Sequence, residues 1–316
     1  MAESTGISWT DSTFNPWHGC SKVGPGCDNC YAERDSKRFN GNKTLWGVNA
    51  DRLTLSDNYW NQPIKWNKRA GELGYRHKVF CASMADVFDK NSPEGARERL
   101  WELIKATPNL DWLILTKRIG NAKTMLPSDW GNGYKNVWLM ITVVNQTEAD
   151  RDIPKLLETP AAVHGLSMEP LLGYVKIPQW FIRDERYADP RIVKNKIGWV
   201  ITGGESGPNS RPMHESWVKY IHHQCKENNV PFFFKQWGEY VSSSQSPIDA
   251  ELNYGNYSSG GWLGKDGTFR TDENPNQVTI DHSYVFKLGK KLAGNFLDGS
   301  VHENFPYKET KLGANS

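Results

Sequence analysis

Three cysteines, Cys20, Cys27 and Cys30, stand in the stretch FNPWHGCSKVGPGCDNCYAER with the spacing C-x6-C-x2-C. The loop between them carries Gly24, Pro25 and Gly26. Glycine adopts positive φ without steric cost and proline fixes a bend, so such a loop can wrap several thiolates around one centre. Three thiolates with no fourth cysteine nearby suit a [4Fe-4S] cluster that leaves one iron open to a small molecule. Zinc held purely for structure calls for four protein ligands, and His18 or Cys81 would have to complete that set. The triplet by itself leaves iron–sulfur and zinc level. A disulfide framework is disfavoured, because five cysteines in 316 residues without a secretory leader do not make one. Cys81, in an apolar run, and Cys225, in a segment of helical pattern, read as buried core thiols.

Composition sets mild bounds. A chain of 316 residues fits one large domain, or a domain with an appendage, and buries a core easily. A net charge of +2 is too balanced to imply nucleic acid by itself. No apolar run approaches a membrane span and MAESTGISWT is no signal peptide, so the expectation is a soluble, cytoplasmic protein with no membrane partner. Of the 14 tryptophans, Trp9, Trp17, Trp46, Trp60 and Trp66 crowd the first part of the chain. Aromatic flanks there would shield a cofactor or stack on a flat substrate, although ordinary packing accounts for most of them.

The elements that must position the cysteines follow a repeating β-then-α punctuation. Short apolar runs occur at 78–83, 111–116, 137–142, 162–167, 198–203 and 231–237. Each is short enough for a strand and apolar on both faces, as parallel strands covered by helices are. Amphipathic segments at 92–107, 145–158 and 213–228 lie between several of them, the first opening on Ser92-Pro93-Glu94 as cap, first-turn proline and early acid. Alternation at this spacing predicts an α/β fold, with mainly parallel strands in a closed or partial (β/α) barrel.

Just past these runs stand Ser83 and Asp86; Thr116, Lys117 and Arg118; Thr142 and Asn145; Ser167 and Glu169; Gly203, Gly204, Glu205 and Ser206; then Lys235, Gln236 and Trp237. These are C-terminal strand ends, the face on which α/β barrels build active sites. Any one of them reads as a helix cap or a surface loop. Six successive polar strand ends facing a three-cysteine loop shift the preference from zinc to a catalytic cluster.

A cysteine triplet near the amino terminus followed by strand–helix repeats resembles the radical S-adenosylmethionine (SAM) enzymes. The phrases NPWHGCSKVGPGCDNCYAE, LTKR, SMEPLLG, ITGGESG…RPM and KLGKKLAGNFLDGSVHENFP are similar to a phage and prophage branch of that superfamily, long grouped as a domain of unknown function. The resemblance spans nearly the whole chain. It implies a radical SAM-type partial barrel, a [4Fe-4S] cluster on Cys20, Cys27 and Cys30, SAM as second cofactor, and an electron donor such as flavodoxin or ferredoxin. Ser83 and Asp86, and Lys117 or Arg118 for the carboxylate, are its candidate SAM contacts, with Thr142, Glu169 and Glu205 at the later strand ends. Two departures stand out. The superfamily's common spacing is C-x3-C-x2-C, and its glycine-glycine-glutamate motif usually follows the second strand, whereas Gly203-Gly204-Glu205 follows the fifth mapped run.

After residue 238 the texture changes. Residues 239–277 are rich in Ser, Gly, Asn and Asp, which predicts a loop-rich extension over 239–316 packed on a core of 1–238, with a hairpin around GGWLGKDGTFR. Lys287, Lys290 and Lys291 would touch phosphates or merely form a solvated helix face. His282 and His302 read as structural. Within the radical SAM class the resemblance points to phage thymidine hypermodification: an isomerase turning a nitrogen-linked glycinyl thymidine into a carbon-linked form, with a modified base in DNA as partner, in the host cytoplasm if phage-encoded. The competing classes are a non-catalytic zinc module that binds nucleic acid, and a radical SAM lyase or repair enzyme acting on another modified base.

Overall fold

The computed structural model describes residues 5–39, 44–181, 196–246, 260–271 and 279–306. Seven strands form one sheet: β1 (Ser12–Phe14), β2 (His77–Cys81), β3 (Leu110–Thr116), β4 (Val137–Thr142), β5 (Val163–Met168), β6 (Ile197–Gly203) and β7 (Phe232–Gln236). Their order in the sheet is their order in the chain, and every neighbouring pair is parallel. Winding in one sense with right-twisted strands curls such a sheet, here into a half-barrel. All six anticipated runs are therefore adjacent parallel strands, with boundaries within a residue or two. The edge strand β1 was not anticipated.

Side chains alternate between two apolar clusters with the period of two that a strand imposes. Val79, Cys81, Trp112, Ile114, Leu139, Ile141, Val200, Phe232 and Phe234 belong to the large outer cluster, under the helices. Phe80, Leu113, Trp138, Met140, Trp199, Ile201 and Phe233 form a separate inner cluster, closed at one side by Trp9. Trp9 packs on Phe80 and Trp199, with ring centroids 4.6 and 6.3 Å away. The concave side of the half-barrel is thus filled by aromatic rings below, and any open space lies above them.

Five longer helices accompany the sheet: α1 (Tyr31–Phe39), α2 (Gln62–Leu73), α3 (Ala96–Ala106), α4 (Gln146–Glu158) and α5 (Glu215–Glu227). In α4, Asn145 caps the Glu148 amide at 2.9 Å while the Glu148 carboxylate accepts from the Val144 amide at 3.1 Å, a reciprocal capping arrangement. The proposed start at Ser92-Pro93-Glu94 is corrected. Helix α3 begins at Ala96 after Gly95, whose φ is +70°. The cause is Arg97, which donates to the Ser92 hydroxyl at 2.7 Å and to the Val87 carbonyl at 2.8 Å, so Ser92 serves the loop rather than the helix.

Beyond the main sheet, β8 (Tyr240–Ser242), β9 (Gly260–Gly264), β10 (Phe269–Arg270) and β11 (His282–Lys287) form an antiparallel sheet in the order β8-β11-β9-β10. The anticipated hairpin is β9–β10. Residues 247–259 and 272–278 of the loop-rich extension lie outside the described residues. The chain then returns to the half-barrel, where the Phe234 amide donates to the His302 carbonyl at 2.8 Å and the Asn304 amide to the Phe232 carbonyl at 3.1 Å. No helix among the described residues is long and apolar enough to cross a membrane.

Candidate functional site

The cysteine loop is held over the C-terminal ends of the strands. Trp17–His18 pairs antiparallel with Leu53–Thr54 and delivers the chain to Gly19. Gly19 has φ +117°, and a Cβ there would lie 2.6 Å from the Leu45 carbonyl oxygen, so only glycine fits. The Cys20 amide donates to Leu45 at 3.2 Å, and the Gly47 amide donates back to the Cys20 carbonyl at 2.9 Å. Pro25–Cys27 makes a 3-10 turn, and Cys30 directly precedes α1.

Below the loop lies a cavity of about 320 Å³, within the usual scale of a small-molecule site. Its walls include Cys20, Cys27 and Cys30 together with Ser83, Asp86, Lys117, Arg118, Thr142, Glu169 and Glu205. Trp9, Asn29, Tyr31 and Lys235 line it too. Of the strand-end residues singled out from the sequence, Asn145, Gly203 and Trp237 do not line this space, and Asn145 caps α4 instead.

The alternation of the strands sorts these residues. The inner face continues upward from the aromatic floor through Leu115, Lys117, Thr142, Ser167, Glu169 and Lys235, which line the cavity, and through Gly203, which does not. Lys235 donates to both carboxylate oxygens of Glu169 at 2.8 and 2.9 Å, and Gln236 donates to the same group at 3.2 Å. The Thr142 hydroxyl is buried with no hydrogen-bond partner among the described residues, as is the Trp9 indole N–H. Both residues line the cavity, and a buried polar group without a protein partner is one that a ligand's polar atom would satisfy.

Asp86 and Arg118 do a different job. The Asp86 carboxylate accepts from the Phe88 amide (3.0 Å), the Thr116 hydroxyl (2.7 Å), the Lys117 amide (2.9 Å) and Arg118 (3.2 Å), which uses most of its accepting capacity. Arg118 reaches on to the Cys20 sulfur at 3.3 Å and to Ser21, at 2.6 Å for the carbonyl and 2.8 Å for the hydroxyl. Ser83 is tied to Asn15, whose side-chain amide donates to its hydroxyl at 3.1 Å. Burial, with Asp86 adding to it, pushes the Cys20 thiol up to about 11 against the pull of Arg118.

Glu205 is likewise engaged. Arg211 donates to its two oxygens, at 2.9 Å through Nε and 2.6 Å through Nη2, and Asn29 donates at 3.0 Å. Burial would raise the Glu205 carboxyl, but these hydrogen bonds outweigh it and hold the group below its ordinary value. Arg211 and Asn29 were not found by sequence reasoning. The only signal was the arginine in the phrase GGESG…RPM, which says nothing of its partner.

Cys20, Cys27 and Cys30 on one wall are the three thiolates that a [4Fe-4S] cluster with one open iron would take. Among the described residues no three His, Cys, Asp or Glu side chains converge as one metal ion requires, with donors about 2.0–2.3 Å from it. His18 and Cys81 do not line the cavity. A cluster spreads its thiolates around the corners of a cube, which suits three cysteines on the wall of a shared space. Cys81 and Cys225 are fully buried in the outer core, and burial pushes both thiols up. All five cysteines are free thiols.

Neither a curated protein nor a solved structure matches the chain. The profile of one family, described as "Protein of unknown function (DUF5131)", matches residues 4–306. With nearly its whole length covered, the chain belongs to the DUF5131 family.

Proposed function

We propose that this protein is a radical SAM enzyme. The observation that carries the reading is the convergence of the Cys20, Cys27 and Cys30 loop with the inner-face strand ends Lys117, Thr142, Ser167, Glu169 and Lys235 around one cavity. Cys20, Cys27 and Cys30 would hold a [4Fe-4S] cluster, and SAM would occupy the space beneath them. When bound, this pair of cofactors supplies reductive cleavage of SAM to methionine and a 5′-deoxyadenosyl radical, fed by a donor of the flavodoxin or ferredoxin kind.

The chain's own groups then have distinct duties. Lys117 makes no side-chain hydrogen bond or ion pair among the described residues and offers its ammonium to the SAM carboxylate. The Thr142 hydroxyl and the Ser83 side chain offer neutral hydrogen bonds. Asp86, Arg118 and Glu205 build the site rather than bind SAM, because their polar atoms are committed to the protein. The aromatic floor of Trp9, Phe80 and Trp199 excludes water from beneath, which protects a reactive radical.

For the substrate we propose a substituted thymidine, with the protein acting as an isomerase that moves a nitrogen-linked glycinyl group into carbon linkage. The family resemblance supports this, and so does Lys290, an exposed lysine on the cavity wall placed to meet a phosphate. Lys287 is engaged instead, donating to the Pro208 carbonyl at 2.9 Å. Anaerobic purification with cluster reconstitution tests the reading. A brown, iron- and sulfide-containing protein that forms 5′-deoxyadenosine from SAM and dithionite is expected. Colourless protein holding one zinc would overturn it. With DNA carrying the nitrogen-linked base, nucleoside mass should stay constant while retention and fragmentation change. An altered mass would point to a lyase or repair reaction on a modified base.

A further inference from the structure

The C-x6-C-x2-C loop is pinned at both ends by an arginine from elsewhere in the chain. Arg118 secures the Cys20 end, as described above. At the other end Arg211 donates through Nη2 to the Pro25 carbonyl at 2.8 Å and through Nη1 to the Asp28 carboxylate at 3.1 Å. The same guanidinium holds Glu205, and Asn29 joins the loop to the Glu205 carboxylate (3.0 Å) and to the Asn209 carbonyl (2.8 Å). Residues 205–211 therefore lie as a strap across the segment that bears Cys27 and Cys30.

The strap is fastened in turn to the extension. The Gly207 amide donates to the Glu239 carboxylate at 3.0 Å, the Glu239 amide to the Glu205 carbonyl at 3.1 Å, and Lys287 to the Pro208 carbonyl at 2.9 Å. The Leu288 and Gly289 amides both donate to the Glu239 carbonyl at 3.0 Å. An arginine suits this place because one planar fork can reach a carboxylate, a second carboxylate and a carbonyl at fixed angles, which a lysine ammonium cannot.

We propose that Arg211 is a positioning residue that fixes the Cys27–Cys30 end of the loop through Glu205, Asp28 and the Pro25 carbonyl, with the extension after residue 238 bracing the strap that carries it. Glu205, on this assignment, belongs to the strap and not to the cofactor. The assignment takes the three cysteines as metal ligands, yet its test needs no metal.

The test is site-resolved alkylation of the full-length, metal-free protein with iodoacetamide under anaerobic conditions, read by peptide mass spectrometry. Arg211→Ala should speed modification of Cys27 and Cys30 at least about tenfold, the scale on which lost charge-assisted hydrogen bonds shift a local opening equilibrium. Cys20, held by Arg118, should change by less than about twofold, since openings away from the strap stay as they were. Buried Cys81 and Cys225 report on folding and should stay protected. Arg211→Lys should fall between wild type and Arg211→Ala. Unchanged rates at Cys27 and Cys30, with Cys81 and Cys225 protected, would overturn the proposal. If Arg211→Ala exposes Cys81 or Cys225, then Asp28→Ala, which removes an exposed loop-side partner of Arg211 and leaves the guanidinium in place, decides in the same way. A wild-type protein that takes up no iron would sink the radical SAM reading and still leave these rates to judge the strap.

Discussion

The guanidinium of Arg118 lies 3.3 Å from the Cys20 sulfur while holding Asp86 at 3.2 Å, and only 8 % of its side chain is exposed. One residue thereby couples the first cysteine to the end of β3. Its neighbour Lys117 lines the same cavity but makes no side-chain hydrogen bond or ion pair among the described residues. Adjacent cations in one LTKR phrase thus have different tasks, Arg118 being tied to Asp86, Cys20 and Ser21 while Lys117 keeps its ammonium free of described protein partners.

That difference predicts a split phenotype. Replacing Arg118 by Ala should weaken iron retention by about 10–100-fold, the usual cost of losing a group that orients a metal ligand. Lys117→Ala should retain iron and lose affinity for SAM. Chelator competition after reconstitution, followed by equilibrium dialysis with SAM, separates the two. Equal iron loss in both variants would remove this division of tasks.

The five cysteines should divide three to two. Ala at Cys20, Cys27 or Cys30 should abolish cluster binding. Ala at Cys81 or Cys225 should leave iron content intact and lower stability by about 1 kcal/mol, as expected when a small buried group is trimmed. Iron analysis beside thermal melts reads both effects. Complete iron loss in Cys81→Ala would restore the four-ligand zinc alternative.

Gly203 and Gly204 are adjacent yet should respond oppositely. A Cβ on Gly204 would lie 1.8 Å from the Trp237 carbonyl oxygen, a clash with backbone that no rotamer relieves. Gly204→Ala should therefore cost about 3 kcal/mol or more. A Cβ on Gly203 meets nothing closer than 3.4 Å, so Gly203→Ala should cost less than about 1 kcal/mol. Chemical denaturation of the two variants measures the contrast. Gly204 thus answers first to packing against the end of β7, whatever cofactor duty a glycine-glycine-glutamate phrase has elsewhere.

His164 gives the protein an acid-side liability. Burial lowers its pKa despite the backbone carbonyls it faces, and its Nε2 donates to the Thr159 carbonyl at 2.7 Å. A histidine kept neutral in the folded state binds fewer protons there than in the unfolded chain. Its contribution is therefore intact above the ordinary histidine pKa and is lost as pH falls below it, by at most about 1.4 kcal/mol per pH unit. His164→Gln should flatten the decline in melting temperature between about pH 7 and 5, the range below an ordinary histidine pKa. His18, His77, His214 and His222 are also lowered by burial, so a residual slope should remain. An unchanged slope would show that His164 is not among the groups responsible.

Much of this was legible in the sequence where the signal is local. A run such as 137–142 is apolar throughout and bounded by turn residues, so it declares a buried strand, and β4 has those same limits. The polar residues at strand ends follow from the same punctuation. What the sequence concealed is non-local. The strand β1 is only three residues long, too short to carry a pattern, and is a strand because β2 lies beside it. Ser92-Pro93-Glu94 has the chemistry of a helix start, but Arg97 claims Ser92 from the other direction. Arg211 meets the cysteine loop only because β6 ends beneath it, and no periodicity announces that. Which strand-end residues are tied to protein partners was not readable either, since counting by twos from Trp199 and Ile201 puts Glu205 on the inner face, where Arg211 and Asn29 engage it.

Thr142 offers the sharpest test of the cavity as a binding site. Its side chain is 4 % exposed, it stands at the inner end of β4, and its hydroxyl has no partner among the described residues. A buried hydroxyl left without a hydrogen bond costs free energy, and replacing it with a methyl of the same shape removes that cost. Thr142→Val should then stabilise the ligand-free protein by about 1 kcal/mol. If the hydroxyl serves SAM, the same substitution should weaken SAM binding by about tenfold, the value of one hydrogen bond to a polar ligand. Denaturation in the absence of ligand and dialysis in its presence measure the two effects on one protein. Gain of stability with undiminished SAM affinity would place the cofactor elsewhere in the cavity, and loss of stability would mean that the hydroxyl is satisfied in solution.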